Sequence, residues 1–465
     1  MQRPRSARRS KANTPDFSSA QQNTPHERLA REIIVALRGH GHDAYLVGGC
    51  VRDRLLGNVP KDYDISTSAT PRQILSYFPG SQTVGAHFGV VLVGSPGGVH
   101  VEVATFRSET AYADGRHPDQ VRFETDPALD AQRRDFTINA LMEDPISGRV
   151  LDFVNGQADF QNKIIRAIGD PGRRFTEDHL RMLRAVRFAA RFGFVIEPNT
   201  LAAIQRLAPL ICRISAERIR DEILRILTGG NARRGFELLD ETNLLIQILP
   251  EIKALQGVQQ PPEFHPEGDV WTHVLLMLEQ LRDPTPTLAL GVLLHDAGKP
   301  PTFRIADRIR FDGHAEAGAE IARKRLSQLR FCNDDVEQVT SLVANHMRFK
   351  DVRQMRASTL KRFLRLPKFE EHLELHRLDC LASNGYTDTY EYVKSMMQEL
   401  SHEEIRPPRL ITGRDLLEAG YKSGPALGQA LDAVETAQLE GEIHSRDEAL
   451  AFAKSVLDPT GQKNA

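Results

Sequence analysis

The 465-residue chain is poor in cysteine, and none of its four cysteines stands in a Cys-x-x-Cys pair. Cys50, Cys212, Cys332 and Cys380 are too dispersed for a zinc ribbon and read as free thiols of a reducing compartment. Long apolar runs are missing too: none reaches membrane-spanning length, and the N-terminus has no apolar signal core. These absences predict a cytoplasmic chain with no membrane partner. An excess of either charge is also lacking, since the formal net charge is −2 at pH 7, so any nucleic-acid surface has to be local. What is present is enough chain for about three domains around a large buried core.

The most informative stretch is Leu46 to Gly57, with Lys61-Asp62-Tyr63-Asp64-Ile65 close behind it. Its first part reads as a buried strand ending in Gly48-Gly49, followed by a short helix whose first turn carries Arg52. Backbone N–H groups and a positive helix end in that arrangement suit a triphosphate. Asp62 and Asp64 are one residue apart in a β-like run, so both carboxylates leave the same face and can hold a pair of divalent cations. Cations held beside a phosphate cradle are the apparatus of nucleotidyl transfer, and Mg²⁺ suits oxygen-only donors. Each half alone is a common turn or loop; their order and closeness carry the reading.

The run GGCVRDRLLG…KDYDIST resembles the tRNA nucleotidyltransferase (CCA-adding) and bacterial poly(A) polymerase family, the class II branch of the polymerase-β-like nucleotidyltransferases. The resemblance implies an α/β catalytic head of that fold, followed by all-α neck, HD and tail domains. The implied boundaries are a head at 27–158, a helical neck with a nucleobase-selecting helix at 159–255, an HD metal-dependent phosphohydrolase domain at 256–400 and a helical RNA-binding tail at 401–465. Residues 1–26, with Arg3, Arg5, Arg8, Arg9 and Lys11 amid polar residues, have almost nothing to bury and are predicted to be a disordered basic extension. In this reading Asp62 and Asp64 are the catalytic, metal-holding pair, and Gly49 and Arg52 contact the nucleotide.

A helix over about 27–39 leads into the first strand. Residues 88–93 and 99–104 read as a hairpin, on which Glu102 leaves the face opposite Val101 and Val103, either as a third acidic group or as a solvated glutamate. Residues 107–118 look too irregular for an element. They resemble the family's mobile loop for adding the final A, with Asp114-Gly115-Arg116 at its tip and His117 where an Arg is usual. Arg133-Arg134-Asp135-Phe136-Thr137-Ile138-Asn139 resembles the second family motif, which implies that Arg134 contacts the triphosphate while Asp135 and Asn139 shape the ribose pocket.

A long helix is predicted to begin near Thr176, with Asp178, Arg181, Arg184, Arg187 and Arg191 on one side and Met182, Leu183, Val186, Ala189 and Ala190 on the other. Glu177-Asp178-His179-Leu180-Arg181 resembles the family's base-selecting motif. Asp178 can only accept and Arg181 can only donate. Cytosine and adenine each offer an exocyclic amine beside an acceptor, whereas uracil and guanine present the opposite sense and would leave both charges mispaired. Arg184 and Arg187 are implied to help hold the nucleotide.

Downstream, His273, His295-Asp296 and Asp379 lie on successive predicted helices and resemble the HD metal-dependent phosphohydrolases, with His314 and His346 as ligands to a second ion or to substrate. Mixed imidazole and carboxylate donors suit Mn, Ni, Co or Fe as well as Mg, so the divalent metal there stays open. The reading is template-independent addition of CMP and AMP, from CTP and ATP, to the tRNA 3′ end, with the HD site either an active phosphohydrolase or a scaffold. An A-adding enzyme, a bacterial poly(A) polymerase and a non-catalytic RNA-binding HD protein are the alternatives. No sequence feature fixes an oligomeric state.

Overall fold

The computed structural model describes residues 24–84, 89–95, 97–110, 120–263 and 265–458. The chain divides into two compact units, Met1–Ile214 with Thr242–Leu244 and Ser215–Glu241 with Leu245–Ala465.

The first unit begins with the helix Pro25–Gly39, where Thr24 Oγ1 accepts from the Glu27 amide at 3.2 Å and proline takes the first helical position. Five strands follow: β1 Ala44–Val47, β2 Asp64–Thr67, β3 Gln82–Thr83, β4 Val90–Gly94 and β5 His100–Thr105. With Met142–Glu143 and Val150–Leu151 they form a seven-stranded sheet in the order β3, β4, β5, β2, β1, Met142–Glu143, Val150–Leu151. Alternation divides the work of the sheet. Leu46, Ile65, Val91, Val93, Val101 and Val103 bury one face with Ile33, Ile34 and Leu37 of the first helix. The opposite face is left to Asp64 and Glu102, which stand directly across from each other in the parallel β2–β5 pair.

Three local expectations change. Arg107–Thr110 is a strand paired antiparallel with Gln120–Phe123, because the chain runs straight on from β5 through the buried Phe106, whose amide donates to Thr67 O at 2.7 Å. Residues 111–119, which include Asp114-Gly115-Arg116 and His117, lie outside the described residues, as does most of the basic extension. The helix expected from Thr176 is two helices, Pro171–Glu177 and Leu180–Phe192, broken at an extended Asp178 (φ −144°, ψ 107°). Asp178 Oδ1 accepts from the Leu180 amide at 3.1 Å, so a carboxylate suited to capping starts a new helix there. Met182, Leu183, Val186, Ala189 and Ala190 are buried on the second helix. The neck is helical apart from a two-residue parallel ladder, Ile164–Ile165 with Val195–Ile196, which forms because Gly193 in the left-handed region (φ 66°) turns the chain back.

The second unit is helical apart from a small hairpin, Arg304–Ile305 with Ile309–Arg310, among the described residues. Pro286–Leu294 is buried on all sides against Asn333–Asn345 and Phe369–Ala382, and it ends at His295. A helix apolar all round can only be a central one. Gly298 follows one turn later, and a Cβ there would fall on the His314 carbonyl oxygen and the Gly318 amide, so its lack of a side chain lets the helix His314–Gln328 close in. No helix among the described residues is long and apolar enough to cross a membrane.

A Gly298→Ala chain should lose about 1–3 kcal/mol in urea unfolding, because the clash is with backbone that cannot yield cheaply. Gly428→Ala, in the helix Pro425–Glu440 with nothing within 4 Å of the added Cβ, should be neutral or stabilising in the same measurement.

Candidate nucleotide and metal sites

In the first unit, β1 ends in Gly48 at φ 73°, a conformation that favours glycine. A Cβ at Gly48 would sit 3.7 Å from Asp64 Oδ2 and 3.8 Å from Arg134 Nη1, so turn, carboxylate and guanidinium share one small space. Asp62 stands exposed just ahead of β2, not within it, Tyr63 points into the core, and Asp64 is half-buried. The Asp64 carboxyl is pushed up to about 6, first by burial and then by the facing Glu102 and by Asp62, with Arg134 opposing. A face on which carboxylates crowd until one resists ionisation fits hard divalent cations.

Arg134 is held from behind: Nη2 donates to Asp130 Oδ2 at 2.9 Å and to Ser66 Oγ at 3.1 Å, while Nη1 lies toward Gly48. Arg133 turns away from it to Asp130 Oδ1 at 2.8 Å and Glu109 at 3.3 Å. The fully buried Asp130 was not singled out in the sequence, although its spacing from both arginines, three and four residues along, was there to read.

Asp135 joins the second motif to the helix Leu180–Phe192. Its Oδ2 accepts from Arg184 Nε at 2.8 Å, and its Oδ1 accepts from the Phe136 amide at 2.8 Å and from Asn139 Nδ2 at 3.0 Å. Burial alone would raise this carboxyl, yet Arg184 and Asn139 hold it down at about 2. Asn139 Oδ1 in turn accepts from Arg52 Nη1 at 2.7 Å, and the Arg52 guanidinium lies over Phe192 at 4.8 Å and Phe188 at 5.2 Å. Arg187 and Arg184 lie over the same Phe188 ring at 4.4 and 5.2 Å. The two aromatic rings were not singled out in the sequence.

Asp178 sits at the break between two helices, and Arg181 one turn on donates from Nη1 to Glu177 Oε2 at 2.8 Å and to Arg174 O at 3.0 Å. Arg181 also adds to the positive charge felt by Asp135. Asp64, Arg134, Asp135, Asn139, Arg52, Arg184 and Arg181 thereby form one network of contacts and near charges around the glycine turn.

In the second unit, His273, His295, Asp296 and Asp379 come together, joined by His314 and His346. Donor atoms of His273, His295 and Asp379 lie within 4.8 Å of one another, as do those of Asp296, His314 and His346. His273 Nε2 is 3.1 Å from Asp379 Oδ1, and His314 Nε2 is 3.2 Å from His346 Nε2. Asp379 is held well below the usual carboxylate range by His273 despite its burial, and Asp296 likewise by His295 and Lys299. Burial pulls His273 down, but Asp379 and Glu267 outweigh it and raise the ring to about 9, while His346, buried beside His295, falls to about 3. His295 Nε2 is buried without a hydrogen bond of good geometry among the described residues, 3.2 Å from Asp296 Oδ2, which Lys299 Nζ approaches at 2.7 Å. Converging imidazole lone pairs and carboxylates left in that condition fit divalent metal ions. Beside them opens a cavity of about 870 Å³, rimmed by Lys299, Arg308 and Lys350.

Comparison with known proteins places these geometries. Residues 44–166 match the Poly A polymerase head domain, 193–256 the probable RNA and SrmB-binding site of polymerase A, and 270–380 the HD domain. The CCA-adding enzyme of Levilactobacillus brevis is 33% identical over 436 residues, covering 93% of this chain and 98% of that protein. The chain belongs to the CCA-adding enzyme family. Its CCA-adding relative in Enterococcus faecalis is 32% identical over 450 residues, covering 92% and 96% of the two chains. Among solved structures, the Bacillus stearothermophilus CCA-adding enzyme in complex with CTP matches with a TM-score of 0.71 at 29% identity, covering 95% of this chain and all of that one. The Thermotoga maritima CCA-adding enzyme complexed with tRNA shares the fold at a TM-score of 0.57 and 20% identity. A nucleotidyltransferase head and an HD domain together make this CCA-adding family member a divalent-metal-dependent protein.

Arg184→Ala would strand the buried Asp135 carboxylate and should cost about 3–5 kcal/mol in urea unfolding. Asp135→Ala leaves a part-exposed guanidinium that can turn to water, and should cost less, about 1–3 kcal/mol in the same measurement.

Proposed function

We propose that this chain adds CMP and AMP, drawn from CTP and ATP, to the 3′ end of tRNA without a template, building and repairing the CCA terminus. The observation that carries the reading is the meeting of Asp64, Arg134 and the Gly48 turn in a chain that matches CCA-adding enzymes along nearly their whole length.

Asp62 and Asp64 are assigned as the ligands of a catalytic divalent cation, taken to be Mg²⁺ because only oxygen donors are offered. Bound there, the metal would activate the tRNA 3′-hydroxyl and steady the departing pyrophosphate. Arg134, held by Asp130, offers its Nη1 side to the triphosphate, and the Gly49 amide and Arg52 lie on the same side of the glycine turn. Asp135 and Asn139, locked to each other, border the ribose. Asp178 accepts from the exocyclic amine of cytosine or adenine and Arg181 donates to the neighbouring ring acceptor, so that uracil and guanine meet like with like. Arg184 and Arg187 complete the nucleotide pocket. The head at 27–158, neck at 159–255, HD domain at 256–400 and RNA-binding tail at 401–465 are assigned accordingly; the two compact units part inside the neck, at Ile214. Free cysteines throughout favour a cytoplasmic setting.

A second activity, metal-dependent hydrolysis of a phosphate at an RNA end, is favoured by the converging donors of His273, His295 and Asp379 and of Asp296, His314 and His346 beside a cavity whose rim carries Lys299, Arg308 and Lys350. The metal is left unassigned among Mg, Mn, Fe, Co and Ni.

Transcripts of tRNA ending before CCA, after C and after CC, each incubated with CTP, ATP or both, test the main reading. Completion of all three to CCA is expected. Addition of A to the CC end alone would make it an A-adding enzyme, long A tails a poly(A) polymerase, and no incorporation an RNA-binding protein. Asp178→Ala should reduce discrimination against UTP and GTP by about 10–100-fold before it abolishes turnover. Because the Asp64 carboxyl lies near 6, the ionised form that holds a cation is lost as pH falls through that value, and kcat/KM for CTP should fall with it. Glu102→Gln removes a raising charge, so the fall should move to lower pH.

A further inference from the structure

The second-unit centre holds four histidines, and they are not secured alike. A metal-binding imidazole offers one nitrogen's lone pair while the other N–H needs an acceptor, and that acceptor fixes the tautomer, the ring orientation and the donor strength. His295 Nδ1 donates to Val292 O at 2.9 Å, His314 Nδ1 to Phe311 O at 2.8 Å and His346 Nδ1 to Val343 O at 2.7 Å. Each is a neutral carbonyl three residues upstream. His273 differs: its Nδ1 donates to the Glu267 carboxylate, Oε1, at 2.7 Å. A charge-assisted bond of that kind is stronger than a neutral one and pushes electron density through the ring to Nε2.

Glu267 is built in for this. Its side chain is only 6% exposed, its Oε1 also accepts from His265 Nδ1 at 2.9 Å, and the His265 ring packs edge-on against His273 with centroids 5.1 Å apart. Its Oε2 is buried with no hydrogen-bond partner among the described residues. The carboxylate charge is therefore carried by the two imidazoles that donate to Oε1, and through His273 it reaches the Nε2 side of the ring.

The two donor sets are therefore unequal. Glu267 strengthens the set of His273, His295 and Asp379. The set of Asp296, His314 and His346 has the opposite neighbour: Lys299 Nζ lies 2.7 Å from Asp296 Oδ2 and draws on that ligand's charge. We propose that Glu267 is a positioning residue that makes the His273 half of the centre the tighter metal site, so that divalent ions fill the two halves in order. This rests on the reading of the cluster as a metal centre.

The test is isothermal titration calorimetry of Co²⁺ into the full chain carrying Asp62→Asn and Asp64→Asn after chelator dialysis, so that uptake by the head carboxylates does not add to that of the second unit. Two uptake steps are expected for the parent chain. Glu267→Gln, checked for folding by circular dichroism, should weaken the first step by about 10–100-fold and leave the second unchanged. Glu267→Asp, whose carboxylate is too short to reach His273, should do the same and serves if the Gln chain does not fold. Glu316→Gln, an exposed carboxylate on the cavity rim, should alter neither step. Identical titrations for parent and Glu267→Gln chains would overturn the positioning role while leaving the metal centre standing, and so would equal weakening of both steps or an equal effect of Glu316→Gln. No Co²⁺ uptake in the parent chain would remove the metal centre and the proposal with it.

Discussion

One buried carboxylate holds the first unit's chemistry together. Asp135 gives one oxygen to Arg184 and the other to Asn139, whose own oxygen takes Arg52. The second motif, the arginine helix and the helix after the glycine turn are thus fixed relative to one another by three side-chain bonds. Such bonds are strong because the surroundings are dry, and for the same reason none of the partners can be removed without stranding another. Arg52 and Arg184 also share the Phe188 ring, which limits their freedom without consuming their donors. A nucleotide entering such a framework meets guanidiniums that are already ordered, and less of its binding energy is spent on arranging them.

The two candidate metal sites differ in a way that follows from where their donors sit. Asp62 is exposed and Asp64 only half-buried, so water and substrate oxygens can complete a coordination shell around a small hard ion. In the second unit His273, His295 and Asp296 are at most 1% exposed, on or just beyond helices packed into the core. Imidazole nitrogens favour borderline transition metals, and the protein itself supplies several of the donors. One chain thereby offers an exposed oxygen-only candidate site and a more deeply buried, nitrogen-rich one that opens on a cavity.

Much of this was legible in the sequence because it rests on short-range periodicity. Alternation in 99–104 predicts that Glu102 leaves the face opposite Val101 and Val103, and Gly48-Gly49 marks the turn, whereas Asp62 lies ahead of β2 and outside the alternation expected of it. The second-unit candidate ligands were legible as residue types on successive helices. What the sequence did not disclose depends on events across tens of residues or on competition between local bonds. Asp178 was placed inside a helix because its neighbours have helical spacing, but a carboxylate able to cap the next amide ends one helix and starts another. The adjacent arginines look alike as letters; Asp130 divides them, sending Arg133 to Glu109 and Arg134 to the glycine turn. Glu267 lies in a turn ahead of its helix with no pattern around it, and only the folded chain reveals that it carries two histidines.

The arrangement at Arg181 sets a constraint on any base choice made by side chains. An arginine that reads a base must hold its fork in one plane, since a guanidinium free to swivel would satisfy uracil or guanine as readily as cytosine. The Glu177 carboxylate and the Arg174 carbonyl hold Nη1 of Arg181 from the preceding helix, which sets the plane of its fork. An unbroken helix would keep Glu177 and Arg181 in i, i+4 register too, but it would spend the Asp178 backbone on the helix and turn its carboxylate along the helix flank. The break puts the proposed acceptor and donor at the same helix start, so the local capping bond that defeats a simple helical reading also serves the base-reading role proposed for the pair.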